Sequence, residues 1–196
     1  DHWETVVLSG DTWHYFVGTT SGAPAGWQNP GFDDTGWLQG PGGIGYTDGD
    51  DATIIPSNPV PTALYVRRVF TLADTADIEL ALLNMDYDDG FVAWINGVEV
   101  ARANLGTIGD SPAYNTLAGD HEAVMWQGQN PASFVINRTA FKSCMVNGSN
   151  VLAIQVNNMS TTSSDMSCIP FLSVAMKEEG LTYHPLPVWF YPPDLG

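Results

Sequence analysis

The sequence predicts an all-β fold, a jelly-roll or Greek-key β-sandwich with long ordered loops, and three observations carry that expectation. The 196 residues include 20 Gly and 13 Pro, and Thr, Val, Asn and aromatic residues are favoured over Lys, Glu and Arg, as suits strands and turns. Charged residues make up 14% of the chain against 44% hydrophobic ones, which excludes a disordered chain and a charge-laced helical bundle. Finally, Phe91-Val92-Ala93-Trp94-Ile95 and Val98-Glu99-Val100-Ala101 flank Asn96-Gly97, a dipeptide that favours the type I′ turn matched to strand twist. A hairpin is therefore expected from Asp86 to Arg102. A chain of this size buries about 70% of its unfolded surface, so it needs no metal or disulfide to reach a stable core.

Glu4 to Ser9 and Thr12 to Gly18 read as strands joined by the turn Ser9-Gly10-Asp11, a first hairpin; the second alternates Trp13, Tyr15 and Val17 against Thr12, His14 and Phe16. From Thr19 to Pro61 the chain is rich in Gly, Pro, Asn and Asp, with Trp27, Phe32, Trp37 and Tyr46 at irregular spacing. This suits a long ordered loop pinned by aromatics. Leu64 to Leu72 and Ile78 to Met85 are strands separated by the turn formers Ala73 to Asp77. Beyond the central hairpin, Leu105 to Asn130 reads as a second long insertion. Phe134 to Ile136 is a short strand, Thr139 to Met145 a loop or one helical turn, and Asn150 to Val156 and Ile169 to Met176 are the last strands. The expected domain is 1–180. Residues 181–196, with Pro185, Pro187, Pro192 and Pro193 among aromatics, read as an extended arm or linker.

Six basic residues against 22 acidic ones give a net charge of −16, a field that repels nucleic acid and anionic membrane surfaces. No apolar run of about 18 residues is present, so no membrane insertion is expected. Asp1-His2-Trp3 lacks the basic and apolar regions of a signal peptide and reads as the start of a processed or trimmed chain. The acidity serves either solubility or a hard cation, since calcium takes six to eight oxygen ligands. Cys144 and Cys168 allow one disulfide between late strands or two free buried thiols. Acceptor sequons begin at Asn137, Asn147 and Asn158. Together these features point to an extracellular or cell-surface location.

A string of motifs then carries a family resemblance: Asn29-Pro30-Gly31-Phe32-Asp33-Asp34-Thr35-Gly36-Trp37, Gly43-Ile44-Gly45-Tyr46, Leu64-Tyr65-Val66-Arg67-Arg68-Val69-Phe70, the run from Asp88 to Val100, and the run from Asn147 to Val156. Over Trp13 to Met176 the chain resembles the galactose-binding-domain-like jelly rolls, which accompany catalytic domains in bacterial β-galactosidase-type glycoside hydrolases and occur in large secreted bacterial surface proteins. The resemblance implies a module that binds sugars, binds calcium, or holds neighbouring domains in place, and it speaks to fold more than to function.

The densest carboxylate cluster is Asp48, Asp50 and Asp51, preceded by Gly42, Gly43 and Gly45, which give the backbone room to fold around an ion. It is the expected calcium site, against the alternative of a solvated acidic loop. Asp86, Asp88 and Asp89 form a second cluster, read first as a strand-end turn or as partners of Arg67, Arg68 or Arg102, with Asp165 as a further oxygen donor if an ion is held there. For a glycan, loop aromatics must stack on the apolar faces of sugar rings, and Trp27, Tyr46, Tyr114 and Trp126 are the expected ligand-binding residues, lids over the core being the alternative. Catalysis finds little support: adjacent pairs such as Asp33-Asp34 and Asp50-Asp51 are too constrained to flank a glycosidic bond, and His2, His14, His121 and His184 are scattered. The expectation is a non-catalytic extracellular accessory module, carbohydrate-binding and carrying a structural calcium. Its alternative is a structural or adhesive surface unit whose aromatic tail contacts neighbouring domains or copies of itself.

Overall fold

The structure, a computed structural model, describes residues 2–194; Asp1 and the end of the expected tail, Leu195 and Gly196, lie outside the described residues. The elements are β1 (His2–Val7), β2 (Thr12–Gly18), β3 (Leu38–Pro41), β4 (Ile44–Tyr46), β5 (Thr53–Ile54), β6 (Ala63–Leu72), β7 (Ile78–Asp88), β8 (Gly90–Ile95), β9 (Val98–Ala103), β10 (Ala132–Ile136), α1 (Arg138–Cys144), β11 (Gly148–Asn157) and β12 (Met166–Met176). One six-stranded sheet has the order β10-β7-β12-β4-β5, with β1 also on β12; the other runs β3-β2-β6-β11-β8-β9. The all-β sandwich expected from composition is what the chain forms, with one short helix whose first turn is capped by the Asn137 side chain accepting from Ala140 N.

Period-2 alternation builds the core. Leu64, Val66, Phe70 and Leu72 of β6, Phe91, Ala93 and Ile95 of β8, and Leu152, Ile154 and Val156 of β11 share one apolar cluster with Leu83, Met85, Leu172 and Val174 of the first sheet. The intervening residues Tyr65, Val92, Trp94 and Ala153 face outward, where Trp27 and Leu105 from the long loops cover them. The turn Asn96-Gly97 has φ of 51° and 84°, the pair of positive values a type I′ turn requires. The Asn96 side chain locks it, accepting from Val151 N and donating to the Cys144 carbonyl and to Asn150 Oδ1.

Several expectations are corrected. β1 and β2 are not a hairpin: β1 pairs with β12 and β2 with β3 and β6, in different sheets, because Ser9-Gly10-Asp11 carries the chain across the sandwich. The central hairpin begins at Gly90; Asp86 and Asp88 belong to β7 in the opposite sheet. The loop from Thr19 to Pro61 contains β3, β4 and β5, of two to four residues each, too short to show a period. Cys144 and Cys168 are free and buried, and burial pushes the Cys144 thiol up to about 11. The sequon asparagine Asn158 is fully buried, donating to Tyr46 Oη and the Pro61 carbonyl, which closes it to a glycan in the folded chain.

The arm folds back on its own domain. Thr5 and His184 exchange backbone hydrogen bonds of 2.9 and 3.0 Å, the Glu4 carboxylate accepts from Thr182 N and Tyr183 N, and Phe190 and Trp189 pack on Trp3 and Phe171. Packing thus continues across the boundary expected at residue 180. Among the described residues no helix is long and apolar enough to cross a membrane.

Candidate metal centre

The acidic loop is shaped by the backbone that carries it. β4 ends at Tyr46, Thr47 and Gly49 take positive φ, and Thr53 N and Ile55 N then donate to the carbonyls of Gly43 and Gly45, laying β5 parallel to β4. The fold-back turns Asp48, Asp50 and Asp51 toward one another, each offering an oxygen within 4.8 Å of the others. Gly45 has to be glycine: a Cβ there would collide with the Met166 carbonyl and stand 2.5 Å from Asp51 Oδ2. Of the three glycines expected to give the loop room, Gly43 and Gly45 let Asp51 lie against them, whereas Gly42 faces the Ser9 carbonyl and the Trp13 ring.

Electrostatically the loop is unfinished. Asp48 Oδ2 accepts from Ser167 Oγ on β12, but Asp48 Oδ1 and both oxygens of Asp50 and of Asp51 are shielded from solvent with no hydrogen-bond donor. A buried carboxylate without donor or counter-ion costs several kcal/mol, and the acids respond accordingly. Burial, with Asp48 close by, pushes Asp51 up to about 9 and Asp50 up to about 6. Five of the six Lys and Arg residues are engaged elsewhere, Arg67 with Asp34, Arg68 with Asp11, Arg102 with Glu99, and Arg138 and Lys177 with Glu79, and the sixth, Lys142, lies in the last turn of α1. A purely oxygen donor set of this kind suits a hard divalent cation.

The neighbouring acids divide into two kinds. Asp86, at the end of β7, accepts from Val124 N and Met125 N at 2.8 to 3.1 Å, and Asp89 accepts from His121 N and Met159 N at 3.2 and 2.7 Å. These two tie the loops around 120–125 and 158–160 to the sandwich and need no ion. The expected pairing with Arg67, Arg68 or Arg102 does not form, since those guanidinium groups serve other carboxylates. Ser167 and Glu122 went unpredicted; lone residues with no local pattern, they join the acidic region only through the sheet order.

The four aromatic residues do not converge. Trp27 is 5% exposed, its ring edge-on to Tyr65 and Trp94 at 5.0 and 5.4 Å; it is a lid over the second sheet. Tyr46 is 2% exposed, its hydroxyl donating to the Ser163 carbonyl and accepting from Asn158, so it has no ring face for a sugar. Tyr114 is half-buried and lines a surface cleft of about 460 Å³ together with Trp27 and Tyr65. Trp126 is half exposed, in the 3-10 turn Met125–Gln127 that caps Asp86. One indole thus stands beside the acidic region, and the cleft lies apart from it.

No protein-family model matches the sequence, and no curated protein matches it in sequence. Solved structures do match in fold. β-Glucuronidase 2 of Bacteroides uniformis matches with a TM-score of 0.55 at 17% identity over 88% of this chain and 18% of that one. A glycoside hydrolase family 2 member from Bacteroides cellulosilyticus matches at 0.53 and 15%, over 89% and 21%. A β-glucuronidase from an uncultured Clostridium matches at 0.53 and 14%, over 90% and 29%. A calcium-binding mutant of the Bacteroides uniformis enzyme has also been solved, matching at 0.52. The chain has the fold of a β-sandwich domain of glycoside hydrolase family 2 proteins, and it spans less than a third of the length of those it matches.

Proposed function

We propose that this is a non-catalytic accessory domain of a larger extracellular, carbohydrate-active protein, in which Asp48, Asp50 and Asp51 hold a structural calcium ion. The observation that carries this reading is the set of five solvent-shielded carboxylate oxygens without a donor in a loop only glycine lets close. With the ion in place, those residues and Ser167 would join the β4–β5 connection to β12 and neutralise charges the protein leaves unpaired. The non-catalytic role is supported by the spacing of the acids, whose oxygens lie within 4.8 Å of one another, closer than the roughly 5 to 9.5 Å between the two carboxyl groups that flank a glycosidic bond. The fold shared with domains that make up a fraction of glycosidase chains supports an accessory role with contacts to neighbouring domains.

We assign glycan contact to the exposed indole of Trp126 and to the half-buried ring of Tyr114 at its surface cleft, because an aromatic face beside polar loop groups suits a sugar ring. Thermal unfolding in millimolar calcium and in chelator tests the ion: the expected result is a melting temperature raised by several degrees with calcium, and equal values in both would end the proposal. A glycan array probed with and without chelator tests the sugar; a folded, calcium-loaded chain that binds no glycan leaves only the accessory role.

A further inference from the structure

One acid of the basin is treated unlike its neighbours. Asp86, Asp88 and Asp89 are buried to nearly the same degree, at 1, 3 and 3% exposure, and the first and last each accept from two backbone N–H groups of the loops above them. Asp88 has Oδ1 shielded from solvent with no donor at all. Its carboxylate lies with those of Glu122 and Asp165, one oxygen of each within 4.8 Å of the others. Glu122 is exposed and Asp165 half-buried, so the trio forms a well with a dry floor and a wet rim. None of the three has an ion pair with Lys, Arg or His among the described residues.

We infer that Asp88, Glu122 and Asp165 form a second divalent-cation site, separate from the loop of Asp48, Asp50 and Asp51 and filled by calcium. The donor set is three carboxylates from three segments: the end of β7, the long connection before β10, and the connection into β12. Oxygen ligands alone favour calcium over softer metals, and the open rim leaves places for the water molecules that complete six to eight ligands. Magnesium, which demands a tighter octahedron, fits a site of scattered loop carboxylates less well. The buried Asp88 oxygen without a donor supplies the floor of the site, and Glu122 and Asp165 close over it from the loops. An ion here would hold the 120–125 and 160–165 loops to the sheet end, which is where Trp126 stands.

Calorimetric titration of the chelator-stripped chain with calcium chloride tests the assignment, with Asp88→Asn and Asp165→Asn as the two site variants and Asp51→Asn as the variant of the other loop. Asp165 is half-buried at the rim, so its variant keeps the fold, and Asp88→Asn replaces a buried carboxyl that has no donor, so its melting temperature in chelator should not fall. The expected stoichiometry is two ions per chain, dropping to one in Asp88→Asn, in Asp165→Asn and in Asp51→Asn, and to none when Asp51→Asn and Asp88→Asn are combined. A single ion retained in Asp51→Asn but lost in both site variants would support this site while ending the assignment of the Asp48 to Asp51 loop. Wild-type stoichiometry in both Asp88→Asn and Asp165→Asn would overturn the second site and leave the first standing, and the absence of any calcium heat in the wild-type chain would overturn both.

Discussion

Asp34 and Asp51 sit in the two Gly- and Asp-rich stretches of the same long segment, yet the protein finishes one and leaves the other open. The Asp34 carboxylate accepts from Arg67 Nε at 2.7 Å and is bonded to His14 Nδ1 at 2.8 Å. Arg67 also donates to the carbonyls of Trp27 and Asn29 and lies 5.1 Å from the centroid of the Phe32 ring. One buried guanidinium thereby gathers the loop carrying Trp27, Phe32 and Trp37 onto the outer face of the second sheet. Asp51 is held as firmly by shape, between Gly43, Gly45 and β12, but no protein cation meets it. Two loops of similar composition are thus organised around a charge at their centre, supplied by the chain itself in one case and, on our reading, by solution in the other.

The contrast can be broken from the closed side first. Arg67→Met should be the most damaging change, because it strips three carbonyl and carboxylate acceptors of their donor and leaves the half-buried Asp34 against His14 alone; a loss of about 3 kcal/mol is expected, the lower end of what breaking one side of a buried pair costs, read by denaturant unfolding. A loss below about 1 kcal/mol would mean that the aromatic lid holds the loop without the ion pair. On the open side, Asp51→Asn should act with opposite signs in two buffers. In chelator it should raise stability by relieving an unpaired carboxyl. In calcium at about 100 times the dissociation constant it should forfeit up to about 2.7 kcal/mol of binding linkage, some 5–10 °C for a domain of this size. The same sign in both buffers would refute the ion.

A smaller and more graded effect is expected from pH. In chelator, Asp51 and Asp50 keep protons up to about 9 and about 6 in the folded chain, whereas the unfolded chain releases them near the ordinary 3.8. The folded state therefore binds more protons between about pH 4 and pH 9, and stability falls as pH rises through that window. Calcium, which replaces those protons, should flatten the slope or reverse it. Melting curves at several pH values with and without the ion decide this, and parallel curves would place these acids outside any ion site.

What the sequence made legible follows the range of the interactions. The Asn96-Gly97 turn was readable because turn chemistry is local, and the strand alternation of β6, β8 and β11 because one face of each is buried. The carboxylates of Asp48 to Asp51 were readable because they are adjacent in the chain. Arg67 and Arg68 alternate along β6 and so lie on opposite faces of it, and the buried one is the outward Arg67, since a loop far from it in sequence roofs that face. Trp27 and Tyr46 looked like ligand aromatics for the same reason: sequence shows an aromatic in a loop, and only packing shows whether a lid or a platform results. Asp165 was readable as a further oxygen donor to the Asp86 to Asp89 cluster, and β7 and β12 being neighbours brings it there, whereas no local pattern announces that Glu122 joins them.

β12 has a consequence for how the domain sits in any longer chain. Its first residue, Met166, pairs with Tyr46 beside the acidic basin, and its last, Met176, pairs with His2. Eleven residues of strand at about 3.3 Å each separate these poles by roughly 30 Å. The arm returns to the same far pole, with Phe190 against Trp3. The start of β1 thus lies at one tip of its sheet, and the acidic basin lies toward the opposite tip, like the working end of a short handle.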